Sequence, residues 1–112
     1  MPRYLLNVNY TQDGLKGLLK EGGTSRRDLV AEMVKEQGGT LETMYFAFGS
    51  DDVVVIAELP DAASMAAVAL TVSASGAATV QTTTLLTPEE IDQASKKTVT
   101  YRRPGEDIRR AA

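Results

Sequence analysis

Residues 40–61, TLETMYFAFGSDDVVVIAELPD, decide the fold. They contain two runs rich in β-branched and aromatic residues, at 40–48 and 53–59, separated by Gly49-Ser50-Asp51-Asp52. Gly, Ser and Asp favour tight turns, because Gly tolerates unusual backbone angles and the polar side chains bond to nearby backbone groups. The stretch therefore predicts two neighbouring antiparallel strands joined by a hairpin.

Three further elements are predicted after the hairpin. Pro60-Asp61 ends the second strand and caps a helix in which apolar residues recur at helical spacing until Gly76 ends it. Residues 79–86 (TVQTTTLL) predict a strand, because Thr and Val favour extended backbone. The sequence TPEE then supplies the cap, the proline and the glutamate of a short helix over 87–97.

The N-terminal part completes the element order. Residues 3–10 (RYLLNVNY) alternate between two faces and predict a strand. Residues 11–37 predict one broken helical region, which Gly22-Gly23 interrupts and Gly38-Gly39 ends. The order β, α, β, β, α, β indicates an α+β domain of the ferredoxin-like βαββαβ type. Its four-stranded antiparallel sheet has the order 4-1-3-2, with the helices on one face.

The pleat divides the strand side chains between two faces of this sheet. The face suited to the helices carries Tyr4, Leu6, Val8, Met44, Phe46, Phe48, Val53, Val55, Ala57, Val80 and Leu86. The opposite face carries Leu5, Asn7, Asn9, Leu41, Thr43, Tyr45, Val54, Ile56, Glu58, Gln81, Thr83 and Leu85. Its apolar members are too many for the surface of a monomer, so we expect a homodimer or higher homo-oligomer in which a second copy covers them. The polar members then enclose a small cavity between subunits.

Composition excludes several kinds of chemistry. A chain of 112 residues fits one domain, and it has neither Cys nor His. It therefore lacks disulfides, thiolate catalysis and the commonest ligands of haem and zinc, and we expect no metal and no cofactor. No apolar run reaches the roughly 20 residues of a membrane span, and Met1-Pro2-Arg3 leads straight into a strand. We expect a cytoplasmic protein that does not bind a membrane.

Charge is unevenly distributed along the chain. Residues 1–95 hold 6 Lys and Arg against 13 Asp and Glu, a net charge of −7, whereas residues 96–112 hold 6 against 2, a net charge of +4. The acidic body disfavours nucleic acid as a partner. We therefore divide the chain into a domain at 1–96 and a basic tail at 97–112, which we expect to pack on its own or a neighbouring subunit.

Several motifs, in their order and spacing, resemble the GYD domain family over roughly residues 4–92. They are Tyr10-Thr11-x-x-Gly14, an Arg at 26 or 27, Gly38-Gly39, Tyr45, Gly49-x-x-Asp52, Glu58-x-Pro60-Asp61, Gly76 and Thr82-Thr83. The resemblance implies a small bacterial protein of the dimeric α/β-barrel type and no established activity. The family's Gly-x-Tyr-Asp appears here as Gly49-Ser50-Asp51-Asp52, so a role proposed for that tyrosine does not transfer.

The predicted sheet suggests where a pocket would lie. The end of the first strand lies near the start of the third, so Asn9, Tyr10 and Asp52 are expected to converge at one rim. The predicted pocket residues are Asn7, Asn9, Tyr10, Tyr45, Asp52, Glu58, Gln81 and Thr83. Asp51 and Asp52 are also candidate paired carboxylates that either bind a hard cation or share a proton, against the simpler interpretation that they only form the turn.

Three interpretations of single residues stay open. Glu58 is either a desolvated general base or the structural partner of Arg3. Tyr45 either donates to a bound oxyanion or packs across the dimer. Arg26 and Arg27 begin a helical segment, where positive charge opposes the helix dipole, so they are candidate anion ligands, although exposed arginines are common there.

Two functions fit this sequence. The leading one is an uncharacterised homo-oligomeric GYD-type module with a small-molecule cavity between subunits. The alternative is a cofactor-independent oxygenase or isomerase for a small organic molecule, using Glu58, Tyr45, Asp52 and an Arg. The enzyme requires an enclosed cavity with Glu58 unpaired, whereas a solid interior favours the module.

Overall fold

The computed structural model describes residues 1–106 of the chain. Its strands are β1 (Arg3–Tyr10), β2 (Thr40–Phe46), β3 (Val53–Glu58) and β4 (Ala78–Leu85). Its helices are α1 (Gln12–Glu21), α2 (Gly23–Glu36), α3 (Ala62–Ala74) and α4 (Pro88–Ser95).

The four strands form one antiparallel sheet in the order β2-β3-β1-β4. Read from the other edge, this is the predicted order 4-1-3-2, so the α+β, ferredoxin-like prediction is confirmed. β1 lies in the middle; it pairs with β4 along its whole length and with β3 from Arg3 to Val8. The ends of three strands therefore meet beside Tyr10, where Val8 lies opposite Val53 and Tyr10 lies opposite Ala78.

Local capping explains where the helices begin. The Thr11 hydroxyl accepts from the Gly14 N–H at the start of α1, and the Asp61 carboxylate accepts from the Ser64 N–H at the start of α3. The predicted broken helical region is the pair α1 and α2. Gly22 separates them with φ of 90°, a conformation that favours glycine because it has no Cβ.

The core lies between the sheet and helices α2 and α3. Its buried apolar residues are Tyr4, Leu6, Val34, Val53, Val55, Ala57, Leu59, Met65, Val68 and Ala78. Most of these side chains are small. Both phenylalanines, Phe46 and Phe48, are exposed, and the chain has no Trp. The apolar layer between helices and sheet therefore contains few large side chains.

Three side chains were assigned to the wrong surroundings. Leu41 was predicted on the face away from the helices, but it pairs with Ala57 and packs against the core. A bulge between Leu41 and Thr43 shifts the register of β2 by one residue and so reverses the face. Phe48 and Leu86 were predicted in the helix layer, but both lie beyond the ends of their strands and are exposed.

The other face of the sheet is part apolar and part polar, as the alternation predicts. Leu5 lies opposite Ile56, and Asn7 lies opposite Val54, so the apolar residues are neighbours on the two central strands. All four are half-buried in the single chain. Gln81 on β4 is exposed.

The chain beyond α4 extends away from the domain. Residues 97–105 are exposed, and the described chain measures 70 Å along its longest axis against 28 and 24 Å along the others. Of the predicted tail, Ile108, Arg109 and Arg110 lie outside the described residues. Within residues 1–106, no helix has the length and apolar character needed to cross a membrane.

The turn after β1 gives a test of this packing. The Thr11 N–H donates to the Ala77 carbonyl oxygen at 2.9 Å, and a Cβ added at Gly14 would lie 2.0 Å from that same oxygen. We expect Gly14→Ala to lower the free energy of unfolding by about 1–3 kcal/mol, because the backbone has to move. Gly17→Ala, in the same helix with open space around it, should raise this free energy by up to about 1 kcal/mol. Urea unfolding of the two variants measures both changes, and a Gly14→Ala protein as stable as the wild type would contradict the packing.

Candidate functional site

The rim at the end of β1 is built around Asp52. The Asp52 N–H donates to the Val8 carbonyl oxygen at 2.9 Å, and one carboxylate oxygen of Asp52 accepts from the Tyr10 N–H at 2.9 Å. The side chain thus continues the pairing of β1 beyond Val53, the first residue of β3. The structure places Asp52 and the Tyr10 backbone together, in a role that fixes the strand end.

The neighbouring carboxylate, Asp51, bonds to two side chains of β1. Its Oδ2 accepts from Asn7 Nδ2 at 2.9 Å, and its Oδ1 accepts from Asn9 Nδ2 at 2.8 Å. Hydrogen bonds to an ionised acceptor are stronger than neutral ones, so this pair fastens the hairpin loop to the sheet. Asp51 was predicted only as a turn or cation residue, because turn composition does not show where a side chain points.

One polar atom in this cluster lacks a partner. Asn7 Oδ1 is fully buried, and among the described residues no donor reaches it. Asp51 accepts a hydrogen bond from the NH₂ group of this amide, so the amide oxygen points away from Asp51. A buried acceptor without a donor costs about 1–3 kcal/mol, so this oxygen is an unfilled hydrogen-bonding position on the face away from the helices.

Glu58 is paired at the opposite end of the same face. Arg3 Nη2 lies 2.9 Å from Glu58 Oε1, and Arg3 Nε lies 2.7 Å from Glu42 Oε2. The bulge in β2 brings Glu42 to this position. Arg3 therefore holds two carboxylates, and Glu58 has the structural partner that the sequence suggested.

The remaining predicted pocket residues are spread over this face. Gln81 lies opposite Asn7 and Thr83 lies opposite Leu5 on β4, and both are exposed. Tyr45 lies opposite Val54 on β2 and is exposed. Asn7 and Asn9 are thus brought together by Asp51, whereas these three side chains border the face at its two edge strands. In the described part of the chain, no three acidic residues converge in the manner of a metal site.

The cavity of the single chain lies on the other face of the sheet, between the strands and helices α2 and α3. It has a volume of about 190 Å³. Most of its lining is apolar and includes Val30, Met33, Met44 and Val72. Its few polar residues include Tyr10 and Arg26. The Tyr10 backbone bonds to Asp52 at the rim of the sheet, whereas the Tyr10 side chain lies on the helix side.

Tyr10 and Arg26 are close enough to influence each other. Partial burial raises the pKa of the Tyr10 phenol, and this outweighs the opposing effect of the Arg26 guanidinium. The phenol is therefore protonated at neutral pH and available as a donor. Arg27, the other candidate anion ligand, points elsewhere and lies 3.3 Å from its neighbour Asp28.

The sequence did not predict this cavity. Periodicity identifies which residues face the core, but it does not show whether their combined volume fills it. A signal was present in the small side chains of β3 and α3, together with two phenylalanines that both lie outside the core. Such a core leaves space that one or two large aromatic residues would occupy.

The Asp51 cluster can be tested by stability. Asp51→Ala removes both acceptors, and we expect the free energy of unfolding to fall by about 2 kcal/mol, since hydrogen bonds to charged groups contribute about 1.5–3 kcal/mol. Asp51→Asn keeps one acceptor oxygen and should lose less. Ser50→Ala, at the exposed preceding position, is the control. Equal unfolding midpoints for Asp51→Ala and Ser50→Ala in urea would rule out this role.

No curated protein matches the chain. The model of the GYD domain matches residues 4–95, which span β1 to the end of α4. Nearly the whole folded part of the molecule is thus covered, and the chain belongs to the GYD domain family.

Proposed function

We propose that this GYD domain is a homodimer in which each subunit binds one small, largely apolar molecule between its sheet and its helices. The observation that carries the proposal is the cavity of about 190 Å³ on the helix side. Apolar cavities of about 150 Å³ stay dry and accept molecules the size of benzene. This cavity therefore has room for a six-membered ring with a substituent.

An empty cavity of this size has a cost in stability. The residues around it lose packing contacts, so the folded state is less stable than a filled core would make it. A ligand that enters binds only the folded protein and raises its stability. Small-molecule sites usually have an apolar lining with a few polar residues, and this cavity has the same composition.

The second copy is proposed for the opposite face of the sheet. Leu5, Val54 and Ile56 form an apolar strip there. A second copy provides apolar cover for this strip, and the exposed Gln81 and Tyr45 on the same face provide polar contacts around it. In a two-fold pair, each copy makes the same contacts with the other.

The basic tail is proposed as a second contact between subunits. The net charge of +4 on residues 96–112 complements the −7 of residues 1–95. In the described part of the tail, Val99 and Tyr101 are exposed rather than packed on their own domain. Such side chains are suited to the acidic surface of a neighbouring subunit.

The enzymatic alternative has less support. It requires Glu58 as a base, and a base must be free to take a proton. Arg3 lies 2.9 Å from Glu58 Oε1 and also pairs with Glu42, so Glu58 is held in a structural ion pair. Binding without catalysis is therefore the function that we propose.

Toluene is a direct probe of the cavity. We expect saturating toluene to raise the melting temperature of the wild type and to shift NMR signals of cavity residues such as Met33 and Met44. Val30→Phe places an aromatic ring in the cavity and should abolish both effects. Leu29→Phe introduces the same ring at the preceding, exposed position and should preserve them. Equal responses to toluene in these two variants would exclude the cavity as the binding site.

The dimer is tested by a charge on the apolar strip. Ile56→Arg places a cation at the centre of the face, and we expect sedimentation to show the mass of one chain where the wild type shows two. The control is Leu70→Arg, because Leu70 is an exposed apolar residue on α3, within the helix layer. A wild-type protein with the mass of one chain at micromolar concentration would disprove the dimer.

A further inference from the structure

The cavity has an apolar end and a polar end. Its apolar end is closed by Leu59, Val34 and Met65, all fully or almost fully buried. Its polar end is formed where β1 ends, α2 begins and α3 ends, by Tyr10, Arg26 and Ser75. A ligand with one apolar and one polar part therefore has a single favourable orientation in this space.

Arg26 is the charged residue of the cavity lining in the described chain. Its side chain is 28% exposed, and its ion pair with Glu21 is long, with 3.7 Å between Nη1 and Oε2. Glu21 is not part of the lining and accepts a closer bond, at 3.0 Å, from the Ser25 hydroxyl. The guanidinium thus has N–H groups left for another acceptor, in the planar arrangement that fits a carboxylate.

Tyr10 supplies a second donor at the same end of the cavity. Because burial raises its pKa, the phenol keeps its proton at neutral pH. A protonated phenol beside a guanidinium suits an oxygen anion, which accepts from both groups. Glu21 and Asp52 are close enough to raise the pKa of the Tyr10 phenol further, but neither carboxylate lines the cavity, where Arg26 is the charged group.

We infer that the ligand is a small carboxylic acid of the benzoate type, bound as its carboxylate, with the ring in the apolar end of the cavity and the carboxylate at Arg26 and Tyr10. This inference rests on the proposed function, because it assigns a ligand class to the same cavity. A single arginine matches the single charge of a carboxylate, whereas a phosphate carries up to two charges. The volume limits the apolar part to about one ring.

Benzoate and toluene together test the inference, because they share a ring and differ in the carboxylate. Binding is measured by NMR titration of the full chain at neutral pH. We expect Arg26→Gln to weaken benzoate binding by about tenfold or more, the loss typical of a charged hydrogen-bond partner, and to change toluene binding less than about twofold. Arg27→Gln removes the same charge from the next residue and should leave both affinities unchanged. Tyr10→Phe should weaken benzoate binding by about threefold to tenfold and leave toluene binding unchanged.

The outcomes separate the two proposals. If toluene binds in the cavity but benzoate does not, or if Arg26→Gln and Arg27→Gln have the same effect on benzoate, the carboxylate inference is wrong and the apolar cavity stands. If neither probe binds, or if Val30→Phe leaves both affinities unchanged, both proposals are wrong. Loss of benzoate binding in Arg26→Gln and Val30→Phe, with toluene retained in Arg26→Gln, supports both.

Discussion

The structure depends on how the two central strands are packed. β1 and β3 pair in the middle of the sheet, and their inner side chains are packed against α2 and α3. Because side chains alternate strictly along a strand, the residues that fill this inner layer also determine which residues are left on the outer face. Val53, Val55 and Ala57 on the inside therefore place Val54 and Ile56 on the outside. Residues 53–57 therefore contribute both to the lining of the helix-side cavity and to the apolar strip of the outer face.

The sequence was sufficient for the elements and their order. Alternation in residues 3–10, the turn composition at 49–52 and the caps at Thr11, Asp61 and Thr87 are local signals, and each corresponds to a local cause in the structure. The crossover rule then restricts how such elements can be arranged. The motifs that resemble the GYD domain family include the same turns and caps.

What the sequence could not provide were features that depend on packing between distant segments. The bulge that turns Leu41 inward depends on how β2 meets β3, and nothing in residues 40–42 marks it. Asp51 was taken as a turn residue, yet its carboxylate reaches Asn7 and Asn9, more than 40 positions away. The cavity is a property of summed volumes. These are the features on which the candidate sites depend, so the fold was more predictable than the site.

The loop at 49–52 connects the two faces of the sheet. Asp51 bonds to side chains on the outer face, whereas Asp52 bonds to the backbone of Tyr10, whose ring lies on the inner face. Two adjacent carboxylates therefore fix a residue at the cavity and a polar cluster at the proposed dimer contact.

The unfilled space in the core also has a volumetric consequence. When a protein unfolds, its internal voids disappear and water occupies less volume around the chain, so hydrostatic pressure favours the unfolded state. The cavity of about 190 Å³ is partly open, so the part of it that water does not fill is what makes the domain sensitive to pressure. A molecule that occupies the void removes part of that volume difference, so the occupied domain should resist compression better than the empty one.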